Sequence, residues 1–94
     1  MIVSYRDKLT RDFDQGKRVK RFSGFERSAR LKLDRLEAAG MLKDLAGLPG
    51  NRFEALSGDR KGRYSIRIND QQRVCFESRE KSKGPVNVEI VDYH

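Results

Sequence analysis

At 94 residues the chain is read as one domain, residues 1–94, because a chain of this size buries roughly two-thirds of its unfolded surface and has little core to divide. Charged residues make up 37% and hydrophobic ones 36%, and the apolar positions fall in periodic runs, which excludes a disordered chain. An excess of 21 Lys and Arg over 14 Asp and Glu gives a net charge of +7. That points to a polyanionic partner, nucleic acid first, with a membrane surface or an acidic protein as the other classes.

Ile2-Val3-Ser4-Tyr5 is short and β-prone, and Leu9 and Phe13, four apart, predict a brief amphipathic helix that Asp14-Gln15-Gly16 ends. The N-terminus passes from Met1-Ile2-Val3 into charged residues without an apolar signal region, and no stretch has the length of a membrane span. A cytoplasmic protein without membrane contact is therefore expected. Lys17-Arg18-Val19-Lys20-Arg21 holds four cations in five residues, either a solvated loop or a patch for phosphate or an acidic partner.

Ser23-Gly24-Phe25-Glu26 fits the S-x-x-E capping box and predicts a helix of about four turns. Phe25, Ala29, Leu33 and Leu36 would form its buried stripe, with Arg27, Arg30, Lys32, Asp34 and Arg35 outward and Gly40 as the stop. Leu42, Leu45 and Leu48 recur every third residue in one or two tight helical turns, up to Pro49-Gly50. Four β-type segments follow: Arg52 to Leu56, Tyr64 to Ile68, Arg73 to Glu77 and Val86 to Tyr93. Short loops between them favour antiparallel pairing, so the order of elements predicts an α+β domain with helices on one face of a curved sheet. Cys75, alone in the apolar run Val74-Cys75-Phe76, reads as a reduced, packed thiol.

The chain ends Val91-Asp92-Tyr93-His94, which sets a carboxylate, a phenol and the only imidazole side by side. In a meander the third segment starts where the fourth ends, so Arg73 is expected near His94. Arg52 and Glu54 join them only if the sheet order returns them to that end. A guanidinium beside an imidazole, a phenol and one or two carboxylates can bind a phosphodiester and move protons around it. One histidine and one cysteine make no zinc site, and neither a P-loop nor a dinucleotide fingerprint is present. No metal and no cofactor are expected. Cleavage of RNA suits such a set, because the 2′-hydroxyl is a built-in nucleophile that DNA lacks. Each member also has a plainer reading: Arg73 as partner of a surface carboxylate, Tyr93 as a cross-strand aromatic, the last residues as a frayed end.

The run from Pro49 through Leu56-Ser57-Gly58-Asp59, then Tyr64-Ser65-Ile66-Arg67 and Gln72-Arg73-Val74-Cys75-Phe76, to the terminal Asp92-Tyr93-His94 resembles the HigB-type killer toxins of the RelE-like superfamily, over the length of the chain. The resemblance implies a RelE-like microbial-RNase fold, two N-terminal helices on a curved, mainly antiparallel sheet of four to five strands. It further implies the toxin of a bacterial type II toxin–antitoxin system, an endoribonuclease that enters the ribosomal A site and cuts translated mRNA without a metal. A cognate helix-turn-helix antitoxin of the HigA type would hold it inactive, and operator DNA would be met only through that complex. Arg73 matches the family's phosphate-binding arginine, and Asp92, Tyr93 and His94 its C-terminal catalytic group. Lys17, Arg18, Lys20, Arg21, Arg60 and Lys61 would contact RNA by position and charge. The chain departs from the family at three places. Glu54 replaces a frequent histidine and is the candidate second proton carrier or a group that orients the arginine, Ser57 replaces a lysine, and Gln72 replaces a tryptophan. A basic module that blocks translation by occupancy alone is the alternative.

Overall fold

The polar turn Asn69-Asp70-Gln71 reverses the chain because the Asn69 side-chain oxygen accepts the backbone N–H groups of Gln71 and Gln72, each at 2.8 Å. On its two sides lie β2, Arg63–Arg67, and β3, Gln72–Glu77, and the chain returns again as β4, Val86–Asp92. A two-residue β1, Glu54–Ala55, pairs with β2, giving an antiparallel sheet in the order β1-β2-β3-β4. The computed structural model describes residues 1–60, 62–79 and 82–92, with Arg60 through its backbone alone.

Register decides which residues share a face. Ile66, Val74 and Ile90 stand side by side across three strands, and Tyr64 pairs with Phe76. Ile66, Val74 and Phe76 have no exposed surface, and all five join the cluster under the helices. With a side-chain period of two, the other face carries Ser65, Cys75 and Glu89 in one row and Arg67, Arg73 and Val91 in the next. Cys75 is buried, as expected, but on this polar side of the sheet.

Three helices cover the apolar face: α1, Lys8–Asp14, α2, Glu26–Ala38, and α3, Leu42–Ala46. In α2 the stripe Ala29, Leu33 and Leu36 is buried as the spacing predicts. Lys32, expected outward, is buried too. In α1, Phe13 packs inward, whereas Leu9 faces solvent and Thr10 takes the inward place. The Thr10 hydroxyl accepts the Ile90 N–H at 3.1 Å. The capping box does not form. Lys20–Phe25 winds as a 3-10 turn because Phe22 is drawn between the rings of Phe13 and Phe25, so α2 starts at Glu26 without a side-chain cap. Tight helical turns follow as predicted, α3 and a 3-10 turn at Pro49–Asn51, with Leu45 buried and Leu48 exposed.

The strand expected from Arg52 shrinks to Glu54–Ala55, because Arg52 turns into the left-handed region at φ 45°, ψ 52°. The N-terminal β-prone run adds a short parallel pairing to β4 through Tyr5 and Val88. Backbone bonds from Val3 N–H to Pro85 C=O and from Arg6 N–H to Val88 C=O cover that edge of the sheet. Gly84 is needed here: a Cβ on it would lie 1.6 Å from the Met1 carbonyl oxygen. Among the described residues no helix is long and apolar enough to cross a membrane.

Candidate active site at one end of the sheet

The β3–β4 register sets Gln72 opposite Asp92 and Arg73 opposite Val91. The start of one strand and the end of the other therefore meet, as the meander requires. Tyr93 and His94, together with Lys61 and the side chain of Arg60, lie outside the described residues. Arg73 and Asp92 are one residue out of phase, so their side chains leave the sheet end on opposite faces. Asp92 is on the helix side, where it lines a recess of about 140 Å³ with Arg21, Phe22, Phe25 and Gln72. Arg73 is on the polar side and only 9% exposed.

Arg73 is held by its neighbours. Its Nε donates to Ser65 Oγ at 2.8 Å, and its Nη2 donates to the Ser65 carbonyl at 3.4 Å and to the Arg52 carbonyl. Ser65 has no exposed surface. Arg52 presents its carbonyl from the left-handed corner that follows the 3-10 turn Pro49–Asn51. A second polar group fixes that corner. Asn51, also fully buried, accepts through Oδ1 from Lys32 Nζ at 3.0 Å and Arg35 Nη1 at 3.1 Å, and its amide donates to the Leu45 carbonyl at 3.1 Å. Lys32 also donates to the Gly50 carbonyl at 2.8 Å. Burial lowers the Lys32 pKa, and the neighbouring charges of Arg35 and Arg67 lower it further.

Glu54 pairs with Ser65, on the strand beyond β2. It stands two strands from Arg73 and three from β4, at roughly 4.8 Å per strand, and it is exposed. It thus neighbours the arginine's acceptor, well apart from Asp92. The basic run reaches the site from the helix side. Val19 and Phe22 are buried and pin it, which leaves Lys17, Arg18, Lys20 and Arg21 at the surface, with Arg21 on the Asp92 recess. Both readings of the run are compatible with this arrangement, since its four cations are exposed on a segment held by two buried side chains. Arg60 closes a 3-10 turn, Gly58–Arg60, in the β1–β2 connection.

Sequence reasoning missed Ser65, Asn51 and Lys32. Lys32 had a signal: it lies three residues after Ala29 and four before Leu36, on the same stripe. Ser65 was visible only as one letter of the S-I-R motif. Arg52 and Asn51 act through a backbone carbonyl and a loop amide, which have no sequence signature.

The family model for the RelE-like toxin of the type II toxin–antitoxin system HigB matches residues 3–94. Toxin HigB-1 of Vibrio cholerae serotype O1 (strain ATCC 39315 / El Tor Inaba N16961) is 39% identical over 79 residues, covering 82% of this chain and 83% of that protein. A solved YoeB/ParE toxin from Agrobacterium tumefaciens aligns over 99% of this chain and 97% of its own, at 19% identity and a TM-score of 0.48. By the span of the family match and the identity to the Vibrio protein, this chain belongs to the HigB-like family, the RelE-like toxins of type II toxin–antitoxin systems, and has an antitoxin as its partner.

Proposed function

We propose that the chain is a metal-independent, ribosome-dependent endoribonuclease that cuts translated mRNA in the A site and so stops translation and growth. The observation that carries this reading is the β3–β4 register, which sets Arg73 and the strand leading to Tyr93-His94 at one end of the sheet. The exposed cations Lys17, Arg18, Lys20 and Arg21, on the run that reaches that end at the Asp92 recess, supply RNA contacts, and Arg60 and Lys61 are proposed as separate RNA contacts.

In the proposed reaction the 2′-hydroxyl attacks the adjacent phosphorus and the 5′-oxygen leaves, which yields a 2′,3′-cyclic phosphate and a new 5′-hydroxyl end. Arg73 clamps the scissile phosphate, His94 serves as acid or base, and Tyr93 stacks on a base or donates to the phosphate. Asp92 orients its neighbours, and Glu54 is the second proton carrier. Much of the rate comes from alignment, since holding the 2′-hydroxyl in line supplies on the order of 7–11 kcal/mol. The ribosome provides that alignment, so free RNA is a poor substrate. The antitoxin is of the helix-turn-helix HigA type, and operator DNA is bound only through the complex.

In vitro translation with the purified chain, followed by primer extension on the message, tests the reading. New 5′ ends inside the reading frame are expected, and Arg73→Ala or removal of His94 abolishes both them and growth arrest. Arrested translation without new ends would instead establish blockage by occupancy, for which the exposed cations suffice.

A further inference from the structure

The geometry points to Ser65 and the left-handed corner at Arg52 as positioning residues, which orient the Arg73 guanidinium towards phosphate. This inference rests on the reading of Arg73 as the phosphate clamp. A guanidinium recognises phosphate through a planar fork whose direction matters, yet it sits on a long side chain with many rotamers. Here the direction is set by acceptors from two separate elements. Ser65 takes the Nε hydrogen on its hydroxyl, while the carbonyls of Ser65 and Arg52 both take Nη2. Contacts on Nε and on one terminal nitrogen together fix the plane of the group as well as its place.

The Arg52 contribution is made by the backbone. A non-glycine residue at φ 45° is uncommon and persists only where its surroundings impose it. The imposing contacts are present: Arg52 N–H donates to the Pro49 carbonyl at 3.3 Å, and Asn51 N–H to the Leu48 carbonyl at 2.9 Å. The fully buried Asn51 side chain, gripped by Lys32 and Arg35, ties the same corner to α2. The exposed Arg52 side chain has no part in this, so the residue acts through its conformation.

Three variants test the inference in ¹⁵N-labelled protein, with the Arg73 Nε–H signal identified by its loss in Arg73→Lys. Ser65→Ala removes one acceptor. Arg52→Val and Arg52→Gly both delete the arginine side chain, but only glycine accepts the left-handed backbone readily. Hydrogen exchange at Arg73 Nε is expected to quicken at least about tenfold in Ser65→Ala and Arg52→Val and to stay close to the parent in Arg52→Gly. In ribosome-bound cleavage, kcat should fall roughly 10- to 100-fold in the first two, the scale of a small misplacement in an aligned site. KM should stay within about twofold, and Arg52→Gly should lose less than Arg52→Val. If Ser65→Ala fails to fold, the Val and Gly pair decides. Parental exchange and turnover in Ser65→Ala, or equal losses in Val and Gly, would overturn the inference. A parent chain that cuts no message would sink the nuclease reading, and the exchange rates would still show whether these acceptors hold Arg73.

Discussion

Thr10 has no exposed surface, yet its hydroxyl does what an apolar side chain of the same shape cannot. It accepts the Ile90 N–H on the edge of β4, just beyond the stretch paired with the N-terminal segment. Thr10→Val keeps the volume and removes the acceptor, leaving a buried N–H unsatisfied. The expected loss is about 1–3 kcal/mol, seen as a lower denaturant midpoint with an unchanged slope. Glu77 carries a pH dependence. Hydrogen bonds from Asn87 and then Arg79 hold its carboxyl below the ordinary value of 4.5, with Asn87 Nδ2 and Arg79 Nη2 each at 2.8 Å. The folded state therefore binds this proton less readily than the unfolded chain. The resulting stability is fully present above 4.5 and is lost as pH falls through the lower folded value. Glu77→Gln should flatten the fall in stability over that acid window by lowering stability at neutral pH while leaving it nearly unchanged at low pH, as denaturant midpoints measured from neutral to acidic buffers will show. An equally steep acid loss in the variant would assign the dependence to other carboxylates.

Between α1 and α2 the basic turn separates anchoring from charge. Phe22 is 3% exposed, with its ring 5.4 Å from Phe13 and 5.8 Å from Phe25, so Phe22→Ala should cost about 3–5 kcal/mol and lower the melting temperature. Lys20→Ala and Arg21→Ala alter exposed positions, which shifts stability by no more than about 0.5 kcal/mol. Their effect should appear in co-sedimentation with ribosomes, with thermal melts left in place. The same contrast explains what the sequence could disclose. The α2 stripe and the meander are periodic, so Ala29, Leu33, Leu36 and the opposition of β3 and β4 were readable. Thr10 and Lys32 broke the polarity rule because each finds partners when buried, a backbone N–H for one, a carbonyl and an amide for the other. The failed capping box has a similar cause: aromatic packing of Phe22 outweighed the local preference of Ser23. At the site, Arg73 and Asp92 were placed correctly at one end, but not their separation onto two faces, since that depends on a one-residue register. Ser65 stayed hidden, and Arg52 was foreseen only conditionally, because each meets Arg73 through a pairing or a backbone carbonyl that the strand order alone decides.

Over the whole molecule the net charge of +7 is unevenly useful. Arg21 lines the recess at the Asp92 end of the sheet and Lys17, Arg18 and Lys20 precede it on the same run, whereas Lys83 lines a separate cleft at the far end, bordered by α3, the helix that carries Lys43. The six residues of β3 separate these ends by roughly 16 Å at 3.3 Å per residue, about twice the Debye length of 8 Å in physiological salt. A phosphate chain gripped at one end is therefore screened from cations at the other. If the proposed RNA contact uses the four anchored cations, the logarithm of the binding constant for single-stranded RNA should fall against the logarithm of salt with a slope near −3, from about −0.7 per neutralised phosphate. Lys20→Ala with Arg21→Ala should reduce the steepness by about 1.4, by the same rule. Lys43→Ala with Lys83→Ala removes the same charge and should leave the slope unchanged. Fluorescence anisotropy with a short labelled RNA across a salt series measures all three proteins. Equal reductions in both double variants would mean that net charge alone draws the RNA, and would remove the basic turn from the binding surface.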